Sequence, residues 1–406
     1  MRDSILTIST QLIQMLGGLV IFKMLAVILD VDKFGIYALY MSFSAFIFSM
    51  PFTAIYQALI KYVSTSYNSK RAIQIYKSCV FVYVCFFVFY AVLFSALLSF
   101  SVIELSCVSL IFISLYIFTE IIKLHNNNYN NAMRLKKIYL FSVMVEFIVK
   151  CLTLSFVKPG DVIWVFFIFS IANLISIFIS TPYKNLFLIK LDHKLIKFWF
   201  YKIYFFSYPI AFWGLFGWMR DMSNRWVIGY FLSSDQVASF SVMNSLSVLV
   251  PGVLQTFFGM YFMPILYRKE KISPGFIKKF NRKMSIYMSL CIVIATSVIY
   301  NISDYFVIIF ADKKYISFSY MIPIMFFSYC FFSLAMSCTT EFYAKNRTKE
   351  LILPNVISGI ISIVTFILLV KEWSLNGAVY AFAVSYISYA VVISILVRNM
   401  HRYVKS

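Results

Sequence analysis

Apolar residues run along this chain in blocks of roughly 20, separated by short clusters of basic and polar residues. The blocks fall at 4–29, 35–60, 78–100, 105–122, 139–157 and 162–180, and again at 203–232, 238–264, 284–303, 318–340, 351–370 and 378–397. None alternates with the two-residue period of a membrane barrel strand. A backbone in lipid must satisfy its own hydrogen bonds, so each block is predicted to be a helix. The pattern therefore predicts an all-α integral membrane protein of twelve transmembrane helices in two six-helix bundles around a central cavity. Residues 1–202 would hold the first bundle and a following cytoplasmic linker, and residues 203–406 the second bundle and a short tail. The first block starts almost at Met1, is too long for a signal-peptide core and ends at LDVDKFG without a small-residue cleavage site. It is expected to remain as the first span.

The two sets of blocks echo each other. DKFGIY (Asp32 to Tyr37) follows the first block, and DQVASF (Asp235 to Phe240) follows the seventh, half the chain length later. NAMRLK (Asn131 to Lys136) after the fourth has a counterpart in AKNRTK (Ala344 to Lys349) after the tenth. Halves that start on the same side predict a parallel repeat, related by a pseudo-twofold axis along the membrane normal, with a shared cleft.

Charge fixes the expected orientation. The amino terminus, the breaks at 61–77, 123–138, 181–202, 265–283 and 341–350, and the tail from Arg398 hold 27 of the 36 Lys and Arg, whereas the opposite loops hold five. That asymmetry places both termini in the cytoplasm. The formal charge of +20 would suit nucleic acid only if the basic residues shared one solvated face. They are dispersed between apolar blocks, so no nucleic-acid partner is expected. The seven cysteines lie almost all inside apolar runs without metal-ligand spacing and are expected to be small core residues, with no metal and no cofactor.

Four basic residues remain inside predicted spans: Lys23, Lys150, Arg220 and Arg225. A charge at mid-bilayer depth costs about 2.5–3.5 kcal/mol even on a lenient scale, so each needs a reason. Lys23, Lys150 and Arg225 stand about seven residues from the outer ends of spans one, five and seven, which would set them in one basic layer. Glu146 precedes Lys150 by four residues and Asp221 precedes Arg225 by four, so each carboxylate can meet its base on one helix face. Glu120, at the rim of span four, is expected to be interfacial. Counting these cations against Glu146 and Asp221 leaves the interior positive, which suits an anion better than a cation. The substrate-binding candidates are thus Arg220, Arg225, Lys23 and Lys150, and the candidates for ion coupling or charge pairing are Asp221, Glu146 and Glu120. Trp213, Trp218, Trp226, Tyr208 and Tyr230 offer faces for sugar stacking, although rings at helical spacing more often pack.

The two six-helix halves, the LDVDKFGIY turn, the seventh span SYPIAFWGLFGWMRDMSNRWVIGY (Ser207 to Tyr230) and the outer FADKKY loop ending at Tyr315 resemble the Wzx-type O-antigen and polysaccharide flippases. These belong to the multidrug/oligosaccharidyl-lipid/polysaccharide exporter superfamily. The resemblance covers the whole chain through loose motifs. It implies a MATE-like fold in a bacterial inner membrane and transport of undecaprenyl-diphosphate-linked oligosaccharide by ion-coupled alternating access. It also implies membrane lipids, a polysaccharide polymerase and a chain-length regulator as partners. No GxxxxGK[ST] phosphate loop is present. Charged positions of the family's seventh span match Arg220, Asp221 and Arg225.

A multidrug antiporter of the same superfamily would take cationic drugs through membrane carboxylates, which are few here. A polymerase is expected to carry a large outer loop, and an acyltransferase needs a base, yet His125, His193 and His401 fall in predicted cytoplasmic segments. A lipid-linked peptidoglycan precursor flippase is closer kin and is expected to carry two further spans. The chain is expected not to be an enzyme.

Overall fold

The computed structural model describes residues 2–64, 66, 69–99, 107–158, 162–183, 193–345 and 347–403. Parts of the 61–77, 181–202 and 341–350 breaks, and of the connection between the third and fourth blocks, lie outside the described residues. Among those described, the chain is helical and contains no strand. Eight stretches of the described residues are long and apolar enough to cross a bilayer.

The chain divides into two compact units, one of residues 1–30 and 43–214 and one of residues 31–42 and 215–406. The first contains α1 (Arg2–Ile28), all of α3 to α7 and the larger part of α8. Here α3 is Thr53–Ser64, α4 Ser69–Ser99, α5 Cys107–Ala132, α6 Lys136–Leu154, α7 Val162–Ser180 and α8 His193–Asp221. Its core is built along α5, which packs against α3, α4 and α7, around side chains such as Phe166, Tyr83 and Tyr129. The second unit takes the first twelve residues of α2 (Val31–Ile47), the end of α8, and α9 (Ser223–Phe231) to α15 (Ile352–Tyr403). The intervening helices are α10 (Ser234–Phe257), α11 (Met263–Ile272), α12 (Phe276–Phe310), α13 (Met321–Cys338) and α14 (Thr340–Ala344). Phe240, Phe366, Phe382 and Tyr386 fill its core.

α2 and α10 each end in a wide turn, Phe48–Phe52 and Phe258–Phe262, before a shorter helix continues. In the first, the Thr53 N–H reaches back to the Phe48 carbonyl; in the second, the Met263 N–H reaches the Phe258 carbonyl. The start of α2 lies so close to the start of α10 that a Cβ on Gly35 would overlap the Ser234 carbonyl. A second enforced glycine is Gly377, whose Cβ would overlap the Leu369 carbonyl where α15 bends. The bend itself sits at Trp373 and Ser374, the latter at φ 51°, and separates the blocks predicted at 351–370 and 378–397.

Outward faces are apolar. Only 17% of the most apolar window of α12 is buried, and Ile286, Leu290, Val293 and Ile294 point away from the protein, as a bilayer requires. Cysteines follow both patterns: Cys79 is a core residue, but Cys85 and Cys291 are exposed rather than buried as expected.

Two predicted boundaries need correction. The fourth block was expected to end at 122, yet α5 runs to Ala132. His125, Asn126, Asn127 and Asn130 read as a polar loop, but all are buried, because the neighbouring helices supply partners. Tyr76 donates its hydroxyl to Asn126 Oδ1 at 2.6 Å, Asn126 donates to Thr181 Oγ1 at 2.9 Å, and Asn130 donates to the Ser180 carbonyl at 2.9 Å. The seventh block was expected as one helix over 203–232. It begins ten residues earlier, at His193, and breaks at Met222 (φ −129°, ψ −27°).

Candidate functional site

Each unit holds its own charge cluster. In the first, Glu120 and Lys123 stand one turn apart on α5, and Glu146 and Lys150 one turn apart on α6. Lys123 Nζ lies 2.7 Å from Glu120 Oε1 and 2.8 Å from Glu146 Oε1, and Lys150 Nζ lies 2.5 Å from the same Glu146 oxygen. Asn173 of α7 donates to Glu120 Oε2 at 2.9 Å, and the Lys150 ammonium sits 4.8 Å from the centre of the Phe169 ring. The result is a four-charge chain with no net charge, and none of its side chains is more than 13% exposed. It borders a cavity of about 260 Å3 whose far wall is Gln14, Gly17 and Gly18 of α1.

The sequence-based expectation is corrected here in two respects. Glu120, expected to be interfacial, forms the half-buried end of this chain. Lys123, assigned from sequence to a cytoplasmic loop, is its hub. Its i,i+3 spacing from Glu120 was the available signal, and the adjoining asparagine run obscured it. Lys23 lies on the exposed side of α1 and is not among the residues that line the cavity.

In the second unit, α8 ends with Arg220 and Asp221. Arg220 grips the carboxylate with both sides of its fork, Nε to Oδ1 at 2.8 Å and Nη2 to Oδ2 at 3.1 Å. Its Nη1 donates to Asn355 Oδ1 of α15 at 3.2 Å, and Tyr386 donates its hydroxyl to Asp221 Oδ1 at 2.7 Å. Phe332, Tyr389 and Tyr386 surround the guanidinium, with ring centres 4.5, 5.2 and 5.4 Å away.

Arg225 is placed differently. The i,i+4 pairing expected with Asp221 does not form, because the break at Met222 turns the two side chains away from a common face. The Asp221 backbone carbonyl is freed instead and accepts from Arg225 Nη1 at 3.2 Å. Nε donates to Ser241 Oγ at 3.1 Å and Nη1 also meets Met222 Sδ at 2.9 Å. Among the described residues, every acceptor around this buried guanidinium is neutral. Asp221 pairs with Arg220 and, among the described residues, no carboxylate oxygen forms an ion pair with Arg225, so the cluster carries a net positive charge. Its half-exposed member is Asp221.

The indole N–H groups of Trp218 and Trp226 both donate to Ser42, one to its carbonyl and one to its hydroxyl, each at 2.8 Å. That pins the α2 segment to this unit and gives these two rings a packing role. Tyr208 and Tyr230 are exposed. A third cluster was missed from sequence: buried Glu341 of α14 meets Lys345 Nζ at 2.8 Å and His401 Nε2 at 2.9 Å.

The model of one family, described as polysaccharide biosynthesis protein, matches residues 1–270, about two thirds of the chain. The chain belongs to that family. No curated protein sequence matches it. Among solved structures it is similar to a lipid II flippase, MurJ, in an inward closed conformation, with a TM-score of 0.74 and 13% identity over 97% of this chain and 87% of that one. It is also similar to an inward-facing multidrug resistance MATE family transporter, with a TM-score of 0.68 and 11% identity over 92% of this chain and 94% of that one. At such identities the likeness is one of fold.

Proposed function

We propose that this member of the polysaccharide biosynthesis family is a flippase that carries an undecaprenyl-diphosphate-linked oligosaccharide, such as an O-antigen repeat unit, from the inner to the outer face of a bacterial inner membrane. Twelve spans in halves 1–202 and 203–406, both termini cytoplasmic, would alternate access, driven by an ion gradient. The released unit would pass to a polymerase and a chain-length regulator. Lys23 and Lys150 would add to the attraction of the anionic head, and Glu120, Glu146 and Asp221 would serve charge pairing or coupling. No step of this requires the protein to be an enzyme.

The observation that carries the reading is Arg225. A buried guanidinium facing only neutral acceptors is costly unless an anion completes it. A diphosphate crossing the membrane is such an anion, and its charge is what the bilayer interior otherwise resists. Arg220 is better suited to holding α8 against α13 and α15, since its fork is filled and its faces are covered. The fold is shared with multidrug transporters, which favours a second reading as a drug exporter. The carboxylates of both clusters are engaged by lysine or arginine, which leaves a cationic drug little to pair with.

Arg225→Ala tests the proposal in a strain lacking the chromosomal gene. Its membrane level should stay within about twofold of wild type, because removing Arg225 leaves no buried carboxylate without its ion-pair partner. Surface glycan should vanish and the lipid-linked sugar should accumulate on the inner leaflet. Arg225→Lys, which keeps the charge but not the fork, should restore part of it. Normal surface glycan with Arg225→Ala at normal level would remove the proposal.

A further inference from the structure

α8 carries a second feature that the charge clusters do not explain. Because the helix begins at His193, its first turns extend the seventh block and bring Phe200, Tyr204, Tyr208 and Phe212 onto one side at four-residue spacing. The rings of Phe200 and Tyr204 stack 6.3 Å apart at 9°, and those of Tyr204 and Tyr208 stack 6.1 Å apart at 23°. This ladder spans about 18 Å along the helix. It forms one wall of a slot of about 260 Å3, whose opposite wall is the wide turn at Met50 and Pro51 with Ile55 of α3 and Phe86 of α4. All of these residues belong to the first unit.

Exposed rings near a bilayer surface are commonly interfacial anchors, placed singly with a polar edge toward water. Here the rings are stacked into a continuous apolar wall, and Tyr204 and Tyr208 remain 49% and 57% exposed although a slot lies beside them. Toward the start of α8 the surroundings change sign. A second hollow, lined by Tyr62, Phe198, Tyr201 and Lys202 among others, has a basic rim. Lys202 Nζ stands 5.1 Å from the Phe198 ring centre, Lys61 Nζ stands 4.2 Å from that of Phe206, and Arg71 lies 5.5 Å from that of Trp199. Among the described residues, neither hollow has an acidic residue in its lining. One helix thus joins a long apolar slot to a cationic mouth.

We propose that the slot between α8 and the α3–α4 side holds the isoprene units nearest the head of a polyprenyl diphosphate lipid, with the diphosphate at the Lys61–Lys202 mouth. The inference rests on the reading of the protein as a carrier of lipid-linked sugar. It adds where the lipid is held before its head moves. A branched, unsaturated chain presents methyl groups and double bonds to flat ring faces, and dispersion accumulates along the whole ladder. Two or three cations at one end match a head carrying more than one negative charge.

The test uses the purified full-length protein in nanodiscs of phosphatidylethanolamine and phosphatidylglycerol. The probe is farnesyl diphosphate bearing a diazirine at the end of its chain. Labelling should concentrate on residues 200–212 and be displaced by unlabelled geranylgeranyl diphosphate. Tyr204→Leu with Tyr208→Leu keeps the helix surface apolar and should reduce labelling about tenfold. Lys202→Gln should reduce it about threefold. Unchanged labelling in the double variant would overturn the inference, as would equal displacement by added phosphatidylglycerol, the mark of general lipid contact, or by inorganic diphosphate, the mark of a head-only site. Arg225→Ala should label like wild type, which separates the two proposals: export lost with labelling intact supports both, whereas full surface glycan in the Tyr204→Leu, Tyr208→Leu strain would sink the slot alone.

Discussion

The two charge clusters solve the same problem in opposite ways. In the first unit Glu120, Lys123, Glu146 and Lys150 form a closed chain in which each ammonium meets at least one carboxylate and the total charge is zero. In the second, Arg220 and Asp221 satisfy each other and Arg225 is held by a serine, a thioether and a backbone carbonyl. A neutral chain fixes helices to one another. A cluster one positive charge in excess stores an attraction for anions. Burial alone therefore does not tell a neutralised charge from one in excess; the count of partners does.

The comparison can be broken most severely at Lys123. Replacing it by Met strands Glu120 and leaves Glu146 with Lys150, and should cost about 3–5 kcal/mol of stability, since one partner of a buried pair is left unpaired. Thermal unfolding of the detergent-purified protein reads this as a fall in midpoint, with less protein in the membrane. Adding Glu120→Gln should recover part of the loss. An unshifted midpoint in Lys123→Met would show that the chain does not hold α5 to α6.

A smaller effect is expected at Asp221. Asp221→Asn leaves the Arg220 fork without its carboxylate, but the acid is half-exposed and water can take its place, so the midpoint should drop by an amount equivalent to about 1–3 kcal/mol. The added positive charge should not weaken capture of an anionic lipid, so transport and stability should part company. If glycan export falls in proportion to midpoint alone, Asp221 is a structural partner; export lost at normal midpoint would mark it as the coupling acid and undo the contrast drawn between the units.

Lys150 should matter least. Lys150→Met leaves Glu146 with Lys123, so no carboxylate is stranded and the expected loss is about 1 kcal/mol. A midpoint shift as large as that of Lys123→Met would mean that the chain has no hub.

Much of the fold was legible because its causes are local. Helix formation followed from apolar length, and the wide asparagine run misled for an equally local reason: in isolation NNNYNN has no partner but water. The i,i+4 rule paired Glu146 with Lys150 correctly, where α6 is unbroken. It failed for Asp221 and Arg225 because a single residue, Met222, leaves the helical region between them. The basic layer of Lys23, Lys150 and Arg225 was drawn from depth alone, and depth does not say which way a side chain faces. α1 turns Lys23 outward, while α6 turns Lys150 toward Glu146.

By itself the sequence determined that this is a helical membrane protein, that some of its charges lie inside the apolar blocks, and to which superfamily it is similar. Those properties depend on hydrophobic length, on backbone hydrogen bonds closed within each helix and on motif order, all of which are read along the chain. Only the tertiary structure decided which charges cancel. Glu146 and Lys123 are joined across two helices, Arg220 reaches Asn355 on a third of the chain further on, and Arg225 loses its expected partner to a backbone break. Charge neutrality is a property of distances between side chains in space, and at low dielectric a few ångströms separate a structural pair from a site that calls for an anion.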